Sequence, residues 1–175
     1  MWSAAQILRA VDFAKRNNLR PPSMEQPQYN MLTRRRFEKE YDILYKELGY
    51  GTTIWSPLAT GILTGKYNDG TVPEGSRAAL PNYAWLKERI FVPEKLETTR
   101  KLGEIATDLG VTLAQMAIAW CLKNANVSTV ITGASRVEQV RENMKAADVA
   151  DMLDEGVMAR IEEVLKEYKE PVDDD

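Results

Sequence analysis

The chain has 175 residues, 44% hydrophobic and 28% charged, with ten Gly and eight Pro, the profile of an ordinary globular protein rather than a disordered one. Lys and Arg number 23 against 26 Asp and Glu, a formal charge of -3, so there is no cationic surplus to neutralise a nucleic-acid backbone or an anionic membrane surface. With no histidine and a single cysteine, Cys121, the chain builds neither a His/Cys zinc site nor an internal disulfide, and no step needing an imidazole base is its own.

From Ala4, apolar residues Ile7, Leu8, Val11 and Ala14 recur at helical spacing behind a Ser3 able to cap the first turn. Asn17-Asn18 and Pro21-Pro22 close that element. After a short stretch over 23–29, Thr33 is placed to cap a second helix carrying Phe37, Tyr41, Leu44 and Leu48 and ended by Gly49 and Gly51. Residues 52–55, β-branched and aromatic, read as a short strand stopped by Ser56-Pro57. Residues 61–81 are rich in Gly, Pro, Asn, Asp and Ser, a connection longer than most and of the kind that is functional or disordered. A short helix over 83–90, a longer one over 93–109 with Pro93 in its first turn, and an apolar helix over 112–123 follow. A strand over 127–132 runs through Gly133-Ala134-Ser135 into a helix from Arg136. A last amphipathic helix carries Val157, Ile161, Val164, Leu165 and Tyr168 before an acidic tail over 169–175.

The most apolar run, 111–122, falls short of the roughly 20 residues of a membrane span, the N-terminus shows no leader pattern, and a lone cysteine suits a reducing compartment. The chain is therefore expected to be cytoplasmic and not membrane-spanning, without nucleic acid or metal as partners. Strands alternating with helices predict an α/β class with parallel strands covered by helices. Three such strands leave two bare sheet edges, so a piece of the sheet is missing.

A strand that ends in the small-residue turn Gly133-Ala134-Ser135 and enters a helix offers free N–H groups and a dipole that favour a phosphate, with Arg136 able to fork onto it. The same residues also read as a plain capping box of Ser135 and Glu138. Gln139, Glu142 and Asn143 share one helix face, suited either to a base and ribose or to solvent. Trp55-Ser56-Pro57-Leu58-Ala59 lies at a strand's C-terminal end, where α/β sheets build ligand crevices, although Trp55 reads equally as a core residue. Lys66, with Ser76 and Arg77, puts two cations on a segment able to fold over a pyrophosphate. The acid pairs Glu38/Glu40 and Glu162/Glu163 read as solvated faces.

Glu25-Gln26-Pro27-Gln28-Tyr29-Asn30, Trp55-Ser56-Pro57-Leu58-Ala59-Thr60-Gly61 with Leu63-Thr64-Gly65-Lys66-Tyr67, Leu113-Ala114-Gln115-Met116-Ala117-Ile118-Ala119-Trp120-Cys121-Leu122, and Ile131-Thr132-Gly133-Ala134-Ser135 with Glu142-Asn143 together resemble the aldo-keto reductase superfamily. Within it they are most similar to the voltage-gated potassium-channel beta subunits and their microbial and fungal relatives, over nearly the whole chain. The resemblance implies a (β/α)8 TIM barrel, of which residues 1–175 form a single C-terminal portion. That portion holds about the last three βα units, strands six to eight, plus a preceding helix.

It further implies NADPH bound across the C-terminal ends of the strands, and these residue roles. Gln26 holds the nicotinamide carboxamide and Trp55 stacks on the ring; Ser56, Leu58 and Lys66 follow the pyrophosphate, with Pro57 in the same turn. Arg77, Ser135 and Arg136, beside Gly133, hold the ribose 2'-phosphate and pyrophosphate, while Gln139, Glu142 and Asn143 take the adenosine end. The family's proton donor and its partners, an aspartate, a tyrosine, a lysine and a histidine, come from earlier strands, so no catalytic residue is assigned here and little reductase activity is expected of this chain. Tyr29 and Tyr67, in the cofactor-side motifs, are not substitutes for them. Three readings follow: the NADPH-binding part of a reductase of aldehydes or ketones, a regulatory protein docked on a channel partner, or a fragment that associates with a copy of itself or a separate barrel half through its bare edges.

Overall fold

In the computed structural model, which describes residues 1–171, Ser3 Oγ accepts from Gln6 N (3.2 Å) while Ser3 N donates to Gln6 Oε1 (2.8 Å). This reciprocal cap starts α1 (Ala4–Arg16) as its spacing predicts. Ile7 and Val11 of α1 pack on Tyr41, Leu44 and Tyr50 in a small core of their own, and Ala4 N donates to Glu40 Oε1 at 2.8 Å.

The stretch over 23–29 yields only a two-residue strand, β1 (Met24–Glu25), because Pro27 has no N–H to continue a ladder. Its carbonyl instead accepts from Trp55 N (3.0 Å), and Tyr29 N donates to Trp55 O (3.3 Å). Thr33 does not cap the next helix. It closes a tight bridge with Asn30, each N–H donating to the other's carbonyl, and the cap's work is done from far away: Glu170 Oε2 accepts from Arg34 N (2.8 Å) and Arg35 N (2.9 Å). The helix opens as a π turn over Arg36–Glu40 before continuing as α2 (Asp42–Leu48), which Gly49 ends in the left-handed conformation. Gly51 plays no part in that ending and begins β2 (Gly51–Trp55).

Glu38 and Glu162 are not solvated faces. Glu38 accepts from Tyr29 Oη (2.8 Å) and Arg34 Nε (3.0 Å), and Glu162 pairs with Arg34 (2.9 Å). Burial opposes the Arg34 charge, but these two acids outweigh it and raise its pKa. Of the acidic tail, Glu170 is thus tied to the body of the protein, while Asp173-Asp174-Asp175 lie outside the described residues.

Residues 59–83 form short 3-10 turns, Ala59–Thr64, Arg77–Ala79 and Pro81–Tyr83, and the helix expected over 83–90 is only α3 (Leu86–Ile90). Then come α4 (Pro93–Asp108) with proline at its start, α5 (Leu113–Leu122) with a Thr112–Gln115 capping box, and β3 (Val127–Ile131). The chain continues through α6 (Val137–Met144) and α7 (Ala146–Ala150) to α8 (Glu155–Glu167), capped by Asp154.

The strands form one parallel sheet in the order β1-β2-β3, with Trp55 opposite Ile131 and a bulge where Thr52 and Thr53 meet Val127 and Thr129. Ser128 is the extra residue, and its hydroxyl accepts from Thr52 N (3.3 Å); a Cβ on Gly51 would stand 2.8 Å from that oxygen, so any larger residue there displaces the hydroxyl from this bond. The class is α/β with a parallel sheet, as predicted.

Ile54 of β2 belongs to the main core, with Met116, Ala117, Trp120 and Cys121 of α5, Leu102 and Ile105 of α4, and Ile161 and Leu165 of α8. On the opposite side of β2, Thr53 is half-buried and Trp55 exposed, and neither outer edge of the sheet has a strand partner among the described residues. Parallel sheets are ordinarily covered on both faces. No single helix among the described residues is long and apolar enough to cross a membrane, and α4 and α5, apolar together, meet at 91°.

Candidate functional site

The C-terminal ends of β1, β2 and β3 lie side by side, which brings Gln26, Trp55 and the turn at Gly133 to one edge of the sheet. Gln26 Nε2 reaches Thr53 Oγ1 at 3.5 Å, which lays its side chain along β2. Trp55 is not a core tryptophan: it is 38% exposed, whereas its neighbour Ile54 is fully buried.

The chain then turns through a strained segment. Ser56 (φ 57°), Ala59 (φ 47°) and Thr60 (φ 58°) all adopt the left-handed conformation that non-glycine residues avoid, followed by Gly61 (φ 98°). What holds them is a set of short-range bonds with one long-range anchor. Ala59 N donates to Ser56 O (3.0 Å), Gly61 N to Leu58 O (2.8 Å) and Thr60 N to Ser56 Oγ (3.4 Å). The buried Asn30 reaches in with its side-chain amide on Ser56 O (3.0 Å), its own Oδ1 accepting from Leu32 N (2.9 Å). Pro57 is buried and Leu58 half-buried beneath the turn, so neither side chain faces outward as Trp55 does.

The two cations beyond this turn are held in an unusual way. Lys66 Nζ sits over the ring of Tyr67 at 5.1 Å and Arg77 Cζ over the ring of Tyr83 at 5.5 Å, and neither has a carboxylate partner among the described residues. Tyr67 is fully buried with an unbonded hydroxyl, and Ser76 is buried with its hydroxyl unbonded. A Cβ on Gly61 would come within 3.1 Å of Lys66 Cε and Nζ, so glycine also keeps this approach clear.

At the end of β3, residues 132–136 are exposed. The expected capping box of Ser135 and Glu138 does not form. Gln139 does the work: its Oε1 accepts from Ser135 N (2.8 Å), Ser135 Oγ (3.2 Å) and Arg136 N (3.2 Å), because the helix begins at Val137, which puts Gln139 and not Glu138 three residues beyond the capping position at Arg136. Gln139, Glu142 and Asn143 do share a face, and it is not the solvated one: Gln139 and Glu142 are half-buried and Asn143 is 7% exposed. Gln115 Nε2 donates to Glu142 O (3.4 Å), tying α6 to α5. The outward face of α6 carries Val137 (61% exposed), Val140 (49%) and Met144 (65%), the reverse of an ordinary surface helix.

Cys121 is buried and its thiol is pushed up by burial, so it is no nucleophile. The rings of Tyr67 and Tyr83 are features that periodicity does not mark; Tyr67 follows Lys66 directly in sequence, while Tyr83 carries no local signal linking it to Arg77.

Residues 2–166 match the Aldo/keto reductase family. The chain is 52% identical over 165 residues to a protein of Arabidopsis thaliana named "Probable voltage-gated potassium channel subunit beta", covering 94% of this chain and 50% of that protein. A like-named protein of Oryza sativa subsp. japonica is 50% identical with the same coverage. A similarly named protein of Schizosaccharomyces pombe is 47% identical over 167 residues, 94% of this chain and 48% of that protein. The chain thus spans about half the length of the curated relatives it matches.

Proposed function

The chain belongs to the aldo/keto reductase family, and from that premise we propose that it is the NADPH-binding, C-terminal part of a reductase barrel acting on aldehydes or ketones. The observation that carries this reading is the turn after β2, where an exposed Trp55 stands at a strand's C-terminal end on a segment with three strained non-glycine residues. Strain of that kind persists where the surroundings enforce it, and it clusters at ligand sites.

The residues present suit a dinucleotide with several phosphates. Trp55 offers an open aromatic face to a nicotinamide ring, with Gln26 beside it to hold a carboxamide. Lys66 and Arg77 meet phosphate with undiminished charge. The N–H groups of Ser135 and Arg136 are already satisfied by Gln139, so in this reading the exposed Arg136 guanidinium takes the adenosine-side phosphate. Gln139, Glu142 and Asn143 form the polar wall behind it. When bound, the cofactor supplies hydride to a carbonyl carbon. Protonating the carbonyl oxygen needs a second group, and none is assigned to this chain, so it is expected to bind without reducing.

Titration of the purified chain with NADPH, followed by tryptophan quenching, tests the reading. Saturable quenching that weakens for NADH and for Arg136→Ala, and is abolished in Trp55→Leu, is the expected result. No binding by a chain that circular dichroism shows to be folded would overturn it.

The relatives' names, at 47–52% identity over 94% of this chain, support a second reading in which the parent barrel docks on a membrane channel. Co-purification of the full-length parent with a potassium channel separates the two. The bare edges of β1 and β3 and the outward apolar residues of α6 also support association, with a barrel half or a second copy.

A further inference from the structure

Two kinds of partner hold cations in this protein, carboxylates and aromatic rings. Arg16, Arg34, Arg36, Lys46, Arg100, Lys101 and Arg160 each lie within 3.4 Å of a carboxylate, which offsets their charge. Lys66 and Arg77 are held otherwise, each over a tyrosine ring, at 5.1 and 5.5 Å. The physical difference matters for an anion. A carboxylate neutralises a cation and competes with any arriving phosphate, whereas the face of an aromatic ring attracts the cation through its quadrupole, restricts its conformations and leaves its full charge to act outward.

We propose that Tyr67 and Tyr83 are positioning residues, ring platforms that hold Lys66 and Arg77 un-neutralised for the phosphates of the nucleotide. This rests on the dinucleotide reading above and adds to it the residues that aim the cations. The surroundings fit the role. Gly61 leaves room for Lys66 over Tyr67, since a Cβ there would stand 3.1 Å from its Cε and Nζ. Tyr67 is fully buried and braced edge-on by Phe91 at 6.1 Å, so its ring is a fixed support. Its hydroxyl makes no hydrogen bond, so the ring and not the oxygen is the working part. Tyr83 is half-buried, with Arg77 over its ring and Trp85 tilted at 37° to it, 6.4 Å away. Arg89 over Trp85 at 5.1 Å repeats the contact on α3 and serves as the control.

Calorimetric titration with NADPH and NADH tests the platform. Tyr83→Phe keeps the ring and binds NADPH as the wild type does; Tyr83→Leu removes it and weakens binding of both dinucleotides roughly two- to fivefold, because both carry the pyrophosphate that Arg77 meets. Tyr67→Phe keeps both affinities, and Arg89→Ala changes neither. Equal binding by Tyr83→Leu and the wild type, or equal losses in Tyr83→Phe and Tyr83→Leu, overturns the platform while leaving the nucleotide reading intact. A wild-type chain that binds neither dinucleotide overturns the nucleotide reading, and inorganic pyrophosphate titrated on the wild type, Tyr67→Phe, Tyr83→Phe and Tyr83→Leu then decides the platform by itself. The loss confined to Tyr83→Leu supports it; no binding, or no difference, overturns it.

Discussion

Helices α5 and α6 follow one another across β3 and are built in opposite senses. Every residue of α5 from Leu113 to Cys121 is buried, the polar Gln115 included, and the helix packs against β3, α4, α7 and the Ala59–Thr64 turn. On α6 the polar residues Gln139, Glu142 and Asn143 turn inward, and Val137, Val140 and Met144 face out. The α5 side of the sheet is covered by α4, α7 and α8 among the described residues. The α6 side presents apolar groups to water beside an unpaired strand edge, which is what a surface meant to be covered looks like.

That contrast can be broken by mutation. Leu102→Ala, in the core that α5 shares with α4, is expected to cost about 2–5 kcal/mol, read from urea denaturation, while Val140→Ala in dilute protein shifts stability by less than about 0.5 kcal/mol. Equal losses would mean that α6 is covered within the monomer after all. Val140→Lys together with Met144→Lys is next in size: sedimentation velocity should show the wild type associating and the double variant shifted to a smaller species with an unchanged melt. A wild-type chain that sediments as a monomer at all concentrations would remove the need for a covering partner.

The smallest effect is alkaline. Burial, with Glu38 adding to it at Tyr29, raises the Tyr29 hydroxyl well above the ordinary tyrosine value; burial raises Tyr45 likewise, and Tyr168 is pushed up to about 12 by burial, Glu170 and Glu94. The folded state then keeps protons that the unfolded chain releases near pH 10, so stability is full below about pH 10 and falls as pH climbs toward 12. Thermal melts across pH 8–12 should show that decline, with a shallower slope in Tyr29→Phe, which also melts lower at pH 8 because Glu38 and Asn124 lose their partner. A flat profile would show that these hydroxyls ionise freely in the fold.

Much of the local structure is legible in the residues. Ser3 with Gln6, Thr112 with Gln115, Pro93 at a helix start and Gly49 at a helix end act within one turn of their own positions, so spacing alone finds them. Thr33 fails as a cap because Glu170, 136 residues away along the chain from Arg34, takes its place, and no local pattern encodes that. At the start of α6 the turn is legible and its capping partner is not, since Glu138 and Gln139 are neighbours and only where the helix begins selects between them.

The sequence by itself determined the class: short β-branched strands between periodic helices, a chain without histidine, and motifs that align with one family. The tertiary structure alone decided that Trp55 stands out in the open, that the polar side of α6 turns inward, and that Lys66 and Arg77 rest on rings rather than on acids. The division has one physical cause. Caps and periods are written in contacts three or four residues apart, whereas burial and charge pairing depend on which distant elements a side chain meets, and that choice is left to the packing.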